Sequence, residues 1–474
     1  SRAIPGSLNA PASTTSTTIA IPRGPFVIEQ PGTNAATSLM AREPMPAALE
    51  PTSLPPFGAL SLSSEGFGEE PATGLNLDQA IERLVRGNLD LRARFYEIPQ
   101  ADADILTASL RANPLFYADT QLVPYGSYSE KRPGGQTQYD INITQPVDLS
   151  GKRAARTIVA ERAKRVIEAQ YQDAVRLQID NLYTVFVDVL AARATIAFAQ
   201  ASVKGLEQVL KATEELQKRG DRTRADVNRV KIQLDASRLG LEDAERILIS
   251  ARRSLALLLN ASDAELDALD ARGAIRGIEV KIPSAEQLAT LALSSRPDLQ
   301  AYRLGVQHAQ ANVQLAIANR HPDVLLLYQP YTFQDNSPFG QRSAHSWGLG
   351  ATVTMPLFNR NQGNIQRARL NVDQTRVQQV ALQRQIQAEV VDAAREYEFS
   401  GKAVKRLERD ILPSASQMKD DTYQLYTGGE IDLVAYLNAQ RDYNEVVRQY
   451  LELSVRHRRG QLKLNSALGV RLIP

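Results

Sequence analysis

The chain has 474 residues, of which 43% are hydrophobic and 23% charged, with no cysteine and a formal net charge of +2. The near-neutral charge argues against a nucleic-acid-binding surface, and the lack of cysteine excludes disulfide bonds, thiol nucleophiles and cysteine-ligated metals. The longest unbroken aliphatic runs, Leu255 to Leu259 and Val324 to Leu327, are far shorter than the ~20 residues of a membrane-spanning helix, so none is predicted.

Residues 1–74 form a segment rich in proline, serine, threonine, alanine and glycine, in which ten prolines between Pro5 and Pro56 interrupt any periodicity. This composition is typical of an extended arm that lies along another surface. The arm carries no recognisable chemical motif.

An internal repeat is the strongest feature of the remaining sequence. The matching segments are 88–91 with 296–299, 144–146 with 354–356, 220–221 with 429–430, and 259–260 with 468–469. A nearly constant offset, between 208 and 210 positions, indicates duplication. We therefore predict two copies of one unit, residues 75–283 and 284–474.

Each copy contains the same predicted elements in the same order. A short helical stretch, 77–111 or 285–320, ends near a proline and is followed by two strands and a long helical hairpin. The predicted strands are about 115–124 and 138–147 in the first copy, and about 323–333 and 346–356 in the second. The predicted hairpins are 151–260 and 363–469.

The long helices show apolar residues at alternating three- and four-residue steps, from Leu182 to Leu210 in the first copy. This spacing predicts coiled-coil pairing, and a glycine break near Gly220 predicts the hairpin turn. The same seam, carried over to the second copy, predicts that Ile411, Ser414 and Met418 face inward. A single helix from residue 151 to 219 would span roughly 100 Å.

The predicted strands alternate apolar with small or polar residues, which suits a barrel wall with lipid outside and water inside. Four strands per chain cannot close a barrel, so lipid exposure requires several chains, with eight or twelve strands in total. An ordinary half-buried hairpin that caps a helical domain is the alternative. Aromatic residues near strand ends suggest a membrane-interface belt: Tyr125, Tyr128, Tyr331, Phe333 and Trp347.

The order helix, strand, strand, long helix, glycine turn and helix, present twice, resembles the outer-membrane efflux protein family typified by TolC. The resemblance covers residue 75 to the C-terminus and includes the paired Asp-Leu, Thr-x-Pro and glycine-turn segments, as well as residues 465–469. Segments 149–153 and 356–365 are most similar to the outer-membrane partners of cobalt, zinc and cadmium exporters.

This resemblance implies a mainly α fold with a transmembrane β-barrel: a homotrimer whose twelve-stranded barrel continues into a twelve-helix periplasmic tunnel of coiled coils. It implies a passive exit duct in the outer membrane of a Gram-negative bacterium, without enzyme activity or cofactor. The expected partners are outer-membrane lipid, a periplasmic adaptor and an inner-membrane, proton-driven pump, but no nucleic acid. The exported substrates would be metal cations or drugs.

The resemblance also implies that the hairpin turns form a periplasmic tip that closes the tunnel and docks the adaptor. We hypothesise that Asp226 pairs with Arg222, Arg224 or Arg229, and that Glu430 or Asp432 adds pairs between the copies, holding the tip shut. Exposed ion pairs contribute only ~0–1 kcal/mol each, which suits a gate that adaptor binding opens. The tip residues carried over are Gly220, Asp221, Arg222, Thr223, Arg224, Asp226, Arg229, Gly428, Gly429, Glu430, Asp432, Tyr436 and Asn438.

Other functions have less support in the sequence. The four histidines lie in different predicted elements, so no metal site is expected, and no nucleophile–base set or P-loop is present. Two alternatives remain: a duct that serves a type I protein-secretion system, and a periplasmic coiled-coil scaffold or adaptor that has no membrane barrel.

Overall fold

The computed structural model describes residues 74–122, 137–265, 269–276, 280–335, 337 and 340–473. The predicted interface residues Tyr125 and Tyr128, and the predicted arm apart from residue 74, lie outside these ranges. The first repeat contains α1 (Leu77–Gly87), α2 (Leu89–Phe95), α3 (Glu97–Ser109), β1 (Leu115–Leu122), β2 (Thr137–Val147), α4 (Lys152–Arg219) and α5 (Arg224–Leu258). The second contains α6 (Ala285–Ser295), α7 (Pro297–Ala318), β3 (Val324–Gln334), β4 (Ala344–Val353), α8 (Gln362–Arg406), α9 (Leu412–Thr427) and α10 (Leu433–Leu468).

Equivalent caps begin and end the helices of the two repeats. Asn76 and Ser284 occupy the same position in their repeats, and each forms a capping box with a glutamine at the third helical position. Asn260 and Gly469 are likewise equivalent, at the end of the long hairpins, and both adopt positive φ angles, of 51° and 71°. The sequence repeat is therefore also a repeat of local backbone conformation.

The first predicted helical stretch is divided more finely than the sequence pattern suggests. In the second repeat it breaks once, at Arg296, where Pro297 begins α7. In the first repeat it breaks at Asn88, whose side chain caps α2, and again at Tyr96, just before α3. An asparagine side chain that accepts a backbone N–H competes with the continuing helix, which explains the first break.

The four strands form one antiparallel sheet in the order β1-β2-β3-β4. The pair Asp119 and Asp140 lies directly opposite across β1 and β2, on the face that also carries Tyr117 and Asn142. The other face is apolar and exposed: Phe116 is 69% exposed and Leu349, in β4, is 74% exposed. The sheet therefore has one polar and one apolar face, and β1 and β4 are its edges.

The predicted seam of apolar residues along the second long helix is wrong after residue 407. Residues Leu407–Ile411 form a π-helical turn just before Pro413, which has no N–H to donate to a regular helix. The turn adds one residue, so Ile411, Ser414 and Met418 are exposed. Ala415 and Tyr426 are buried instead. This insertion also explains why the two repeats match at an offset of 209 at the hairpin turns but of 208 along the preceding part of the long helices.

A buried ion network joins the two repeats near the C-terminal end of α10. Arg296, 5% exposed, donates to Asp298 through two nitrogens at 3.1 and 2.6 Å, to Glu389 at 2.6 Å, and to the Ala467 carbonyl at 3.3 Å. Arg176 of α4 lies 3.9 Å from Asp298. Burial alone would raise the pKa of Asp298, but the hydrogen bonds and charge of Arg296 lower it below its ordinary value.

By length and composition alone, one helix among the described residues could cross a membrane, although the aliphatic runs of the sequence predict none. It is α4, which contains an 18-residue window with a mean hydropathy of 1.6. Leu182, Phe186 and Leu190 of this helix lie in the hydrophobic core of the first repeat. Packing inside the protein thus accounts for much of its apolar character.

Candidate functional site

The first hairpin turn is closed by backbone hydrogen bonds around a left-handed glycine. Gly220, with a φ angle of +88°, donates to the Gln217 carbonyl, and Asp221 donates to Leu216 at 2.9 Å. This 6→1 pattern ends α4 in a Schellman motif. A side chain at position 220 would be strained by this φ angle, which explains why glycine occupies it.

The Asp226 carboxylate completes the start of α5. One of its oxygens accepts from the Thr223 N–H at 3.0 Å and from the Thr223 hydroxyl, and the Thr223 hydroxyl accepts from the Asp226 N–H at 3.2 Å. These hydrogen bonds, helped by the charges of Arg222 and Arg229, lower the pKa of Asp226. Asp226 therefore serves as a helix cap in this protomer, rather than as the arginine partner that the sequence suggests.

Replacing Asp226 with alanine is expected to destabilise the first turn by about 0.5–1.5 kcal/mol, because its carboxylate no longer accepts from the Thr223 N–H while the Thr223 cap itself remains. Since the pKa of Asp226 is lowered, this contribution is present above the ordinary carboxyl range and disappears as the pH falls through the lowered value. Hydrogen exchange of the amides of residues 224–227, compared with an Asp221→Ala control, measures the effect. Equal exchange rates in the two variants at neutral pH would contradict the assignment.

The second turn repeats the first, with one difference. Gly429, with a φ angle of +81°, donates to the Tyr426 carbonyl, and Glu430 donates to Leu425 at 2.9 Å. Asp432 caps α10 by accepting from the Ala435 N–H at 2.9 Å. Ala435 stands where the first turn has Asp226, so the second turn has an N-cap without the reciprocal carboxylate.

A hydrophobic cluster packs the two hairpin ends together within one protomer. Tyr426 is its fully buried centre and its ring stacks on Tyr436, with centroids 5.6 Å apart. The Tyr426 hydroxyl lies 2.7 Å from that of Thr213 on α4, which is also fully buried. The sequence pattern predicts Tyr436 as a tip residue but not Tyr426, because the π-helical insertion shifts the seam of the second repeat by one residue. Thr213, on α4, is not predicted either.

Arg222 connects the two turns. Its guanidinium donates to the Ile431 carbonyl at 2.6 Å and lies 5.0 Å from the centre of the Tyr426 ring. Within one protomer this contact joins the two copies through a carbonyl oxygen. The pairs with Glu430 or Asp432 stay a prediction. The other predicted tip residues lie on the exposed surface of the turns: Gly220, Asp221, Thr223, Arg224, Arg229, Gly428, Gly429, Glu430, Asp432 and Asn438.

Aromatic side chains cluster on the apolar face of the sheet, near the loop ends of β2, β3 and β4. Phe333 stacks on Tyr139 at 6.0 Å, and His345 lies 5.2 Å from Phe333 and 5.4 Å from Tyr331. Trp347 lies two residues beyond His345 and is 68% exposed. Of the predicted interface residues, Tyr331 and Phe333 are thus in one cluster that also includes Tyr139 and His345.

The polar face of the sheet presents acidic and amide side chains. Gln138 donates to Asp140 at 2.7 Å, and Asp119 faces Asp140 across the strand pair. One oxygen of Asp119 and the side-chain oxygen of Asn142 accept no hydrogen bond. Two carboxylates directly opposite each other repel in a dry environment, so this face is suited to water and mobile cations.

No group of three or more His, Asp or Glu side chains with metal-binding geometry occurs among the described residues. His457 is buried at the contact of α8 and α10, where Ser400 lies 3.0 Å from its Nδ1 and Tyr397 stacks on its ring. His308 is also buried, and burial lowers its pKa. These two histidines are core residues of the helical part.

Comparison with known proteins decides the family. A family model described as outer membrane efflux protein matches residues 80–261 and 288–470. The chain belongs to the outer membrane efflux protein family. This confirms the resemblance identified from the sequence and places the protein in the outer membrane, with its long helices in the periplasm.

Related proteins include metal-resistance components. The chain is 25% identical over 428 residues to the cobalt-zinc-cadmium resistance protein CzcC of Cupriavidus metallidurans, covering 87% of this chain and 96% of that protein. It is 22% identical to the cation efflux system protein CusC of Escherichia coli K12, covering 82% and 85%. The crystal structure of the Campylobacter jejuni CmeC outer membrane channel superposes with a TM-score of 0.70 at 16% identity, covering 93% of this chain and 94% of that one. The chain thus has the mainly helical fold of outer-membrane efflux channels.

Proposed function

We propose that this protein is the trimeric exit duct of a tripartite exporter and conducts substrate passively from an inner-membrane pump and a periplasmic adaptor to the exterior. The observation that carries the proposal is the four-stranded sheet, whose apolar face is exposed and whose edge strands β1 and β4 have no further strand beside them among the described residues. A membrane does not tolerate open sheet edges, so several chains would have to share one barrel. The family resemblance favours three chains, with twelve strands that continue into a twelve-helix tunnel.

Divalent metal cations are the proposed cargo. Two features support this: relatives named for cobalt, zinc, cadmium and cation efflux, and the Asp119–Asp140 pair on the polar face of the sheet. The protein would act without catalysis or a resident cofactor, and the energy would come from a proton-driven pump. The hairpin turns would form the periplasmic gate and the adaptor-docking surface.

Purified full-length protein tests the duct directly. We expect a detergent-dependent trimer that conducts ions across a planar bilayer, and cells that lack the protein should become more sensitive to cobalt, zinc or cadmium salts. A detergent-free monomer without conductance would favour the periplasmic scaffold instead. Unchanged metal sensitivity together with loss of a secreted protein would favour a type I secretion duct.

The carboxylates on the polar face give a separate prediction. Replacing both Asp119 and Asp140 with asparagine is expected to lower the cation-to-anion permeability ratio by a factor of about two or more, because fixed charges concentrate counter-ions in a narrow conduit. Reversal potentials in a salt gradient measure this ratio. The matched control is Asp335→Asn, in the loop after β3, and equal ratios in all three proteins would contradict the role of the pair.

A further inference from the structure

The helix α7 lies between two long helices, whereas its counterparts α2 and α3 lie against one. α7 packs on α4 of the first repeat and on α8 of its own repeat. Its equivalents in the first repeat, α2 and α3, pack on α4, and no comparable contact with a second long helix occurs among the described elements. The first repeat therefore lacks a neighbour that the second repeat has.

Burial along these two helices identifies the face that lacks a neighbour. Leu91 and Leu299 lie in the hydrophobic cores of their own repeats and are both buried. Ala101 and Ala309 are also buried in both repeats. Four further positions of α7 are buried, but their counterparts in α2 and α3 are exposed. The buried residues are Ala301, Gly305, His308 and Ala311, and the exposed counterparts are Ala93, Glu97, Gln100 and Ala103.

The long helices show the complementary difference. On the face of α4 that meets α7, Arg162 donates to Gln307 at 2.7 Å and Arg176 lies 3.9 Å from Asp298. That face is buried or half-buried and consists of Arg162, Val166, Ala169, Asp173 and Arg176. Its counterparts on α8 are all exposed, with Leu370 at 60% and Val377 at 69%: Leu370, Gln374, Val377, Ala381 and Arg384.

We propose that the exposed face of α2 and α3 in one protomer packs on the exposed face of α8 in the next, so that the contact between subunits copies the α7–α4 contact within a subunit. This inference rests on the proposed trimer and adds its interface. A head-to-tail contact of this kind closes into a ring. The charges are complementary: residues 362–384 contain four arginines and one aspartate, and residues 89–109 contain four carboxylates and two arginines.

The copied geometry names one ion pair between subunits. The internal pair Arg176–Asp298 corresponds, in the opposite repeats, to Arg384 and Asp90, and both of these side chains are exposed in the protomer. Asp298 is held mainly by Arg296, but the first repeat has Asn88 at that position, which cannot supply a guanidinium. Arg384 of the neighbouring protomer therefore becomes the partner of Asp90.

The same rule fixes the register of the strands that would close the barrel. By the sequence repeat, β3 is the equivalent of β1 and β4 is the equivalent of β2, and within the sheet Ile143 lies opposite Tyr328. By the same repeat, Val353 is the equivalent of Ile143, and Thr120 is the equivalent of Tyr328. A copied contact therefore places Val353 of β4 opposite Thr120 of β1 in the next protomer. Residues directly opposite on antiparallel strands lie close enough for a disulfide bond.

Because residues 1–474 contain no cysteine, crosslinking between introduced cysteines in this sequence tests the register without background. We expect the full-length variant Val353→Cys with Thr120→Cys to give covalent dimers and trimers under oxidising, non-reducing conditions. The control, Val353→Cys with Phe116→Cys, should stay uncrosslinked because Phe116 lies on the same face of β1 but four residues, about 13 Å, from Thr120. Light scattering in detergent separates the two proposals. A trimer in which only the control pair crosslinks would overturn the interface but keep the duct. A monomer would overturn the proposed function itself.

Charge reversal tests the helical contact independently. Arg384→Glu and Asp90→Arg, each alone, are expected to lower the temperature at which the detergent-solubilised trimer dissociates, and the double variant should recover most of the loss. Arg376→Glu is the matched control, since Arg376 is exposed on another face of α8. Single variants that dissociate like this control, or a double variant no better than the singles, would overturn the pairing.

Discussion

Replacing Arg222 with alanine is expected to raise the single-channel conductance of the reconstituted protein more than any other single change at the turns. Arg222 donates a charged hydrogen bond to the Ile431 carbonyl and lies over the Tyr426 ring, so it links the first hairpin turn to the second. A hydrogen bond from a charged donor contributes about 1.5–3 kcal/mol. Its loss should increase the population of separated turns about tenfold or more, since about 1.4 kcal/mol corresponds to a factor of ten.

Planar-bilayer recordings of the trimer measure this effect. Arg224→Ala is the matched control, because Arg224 is exposed two residues further along the same turn. We expect the control to conduct like the wild type. If Arg222→Ala assembled normally and showed wild-type conductance and open probability, the Arg222 contact would not hold the gate.

Replacing Arg296 with methionine is expected to have the largest effect on stability. The change would leave Asp298 and Glu389 without the guanidinium that binds both, in a site where Asp298 is largely buried. Removing one partner of a buried ion pair typically costs about 3–5 kcal/mol, because the remaining charge is left uncompensated. The exposed control, Arg376→Met, should change the free energy of unfolding by less than about 0.5 kcal/mol.

The pH dependence of this effect has a defined sign. Because Arg296 holds the pKa of Asp298 below its ordinary value, the pair contributes stability above that ordinary value and loses it as the pH falls through the lowered one. Denaturant titrations should therefore show the difference between wild type and Arg296→Met shrinking below about pH 4. A difference that stayed constant down to about pH 2 would assign the loss to packing alone.

The sequence predicted the repeated elements and the glycine turns well, because periodicity and turn chemistry are local signals. Gly220 and Gly429 are examples, since a positive φ angle at a helix end favours glycine. The Thr223–Asp226 capping box could also have been recognised from its spacing. Pairing of Asp226 with arginines at the tip stays a prediction, because charge alone does not tell which donor a carboxylate accepts from.

Periodicity and turn chemistry could not predict the apolar seam after residue 407. A π-helical turn adds one residue without any glycine or charge pattern of its own, and Pro413 alone does not reveal whether a helix kinks, ends or takes up an extra residue. The burial of Tyr426 and its contact with Thr213 depend on that extra residue. They also depend on the packing of one hairpin against the other, which is a tertiary property.

The π-helical turn also limits the symmetry of the assembly. Above it, the six hairpins of the proposed trimer are near-equivalent, so the ring approaches sixfold symmetry. Beyond it, the seam of every second hairpin is shifted by one residue, and Ala435 stands where the other hairpin has Asp226. Only threefold symmetry remains at the tip. An adaptor that binds there therefore meets two chemically distinct grooves in alternation. It can distinguish the groove within a protomer from the groove between protomers.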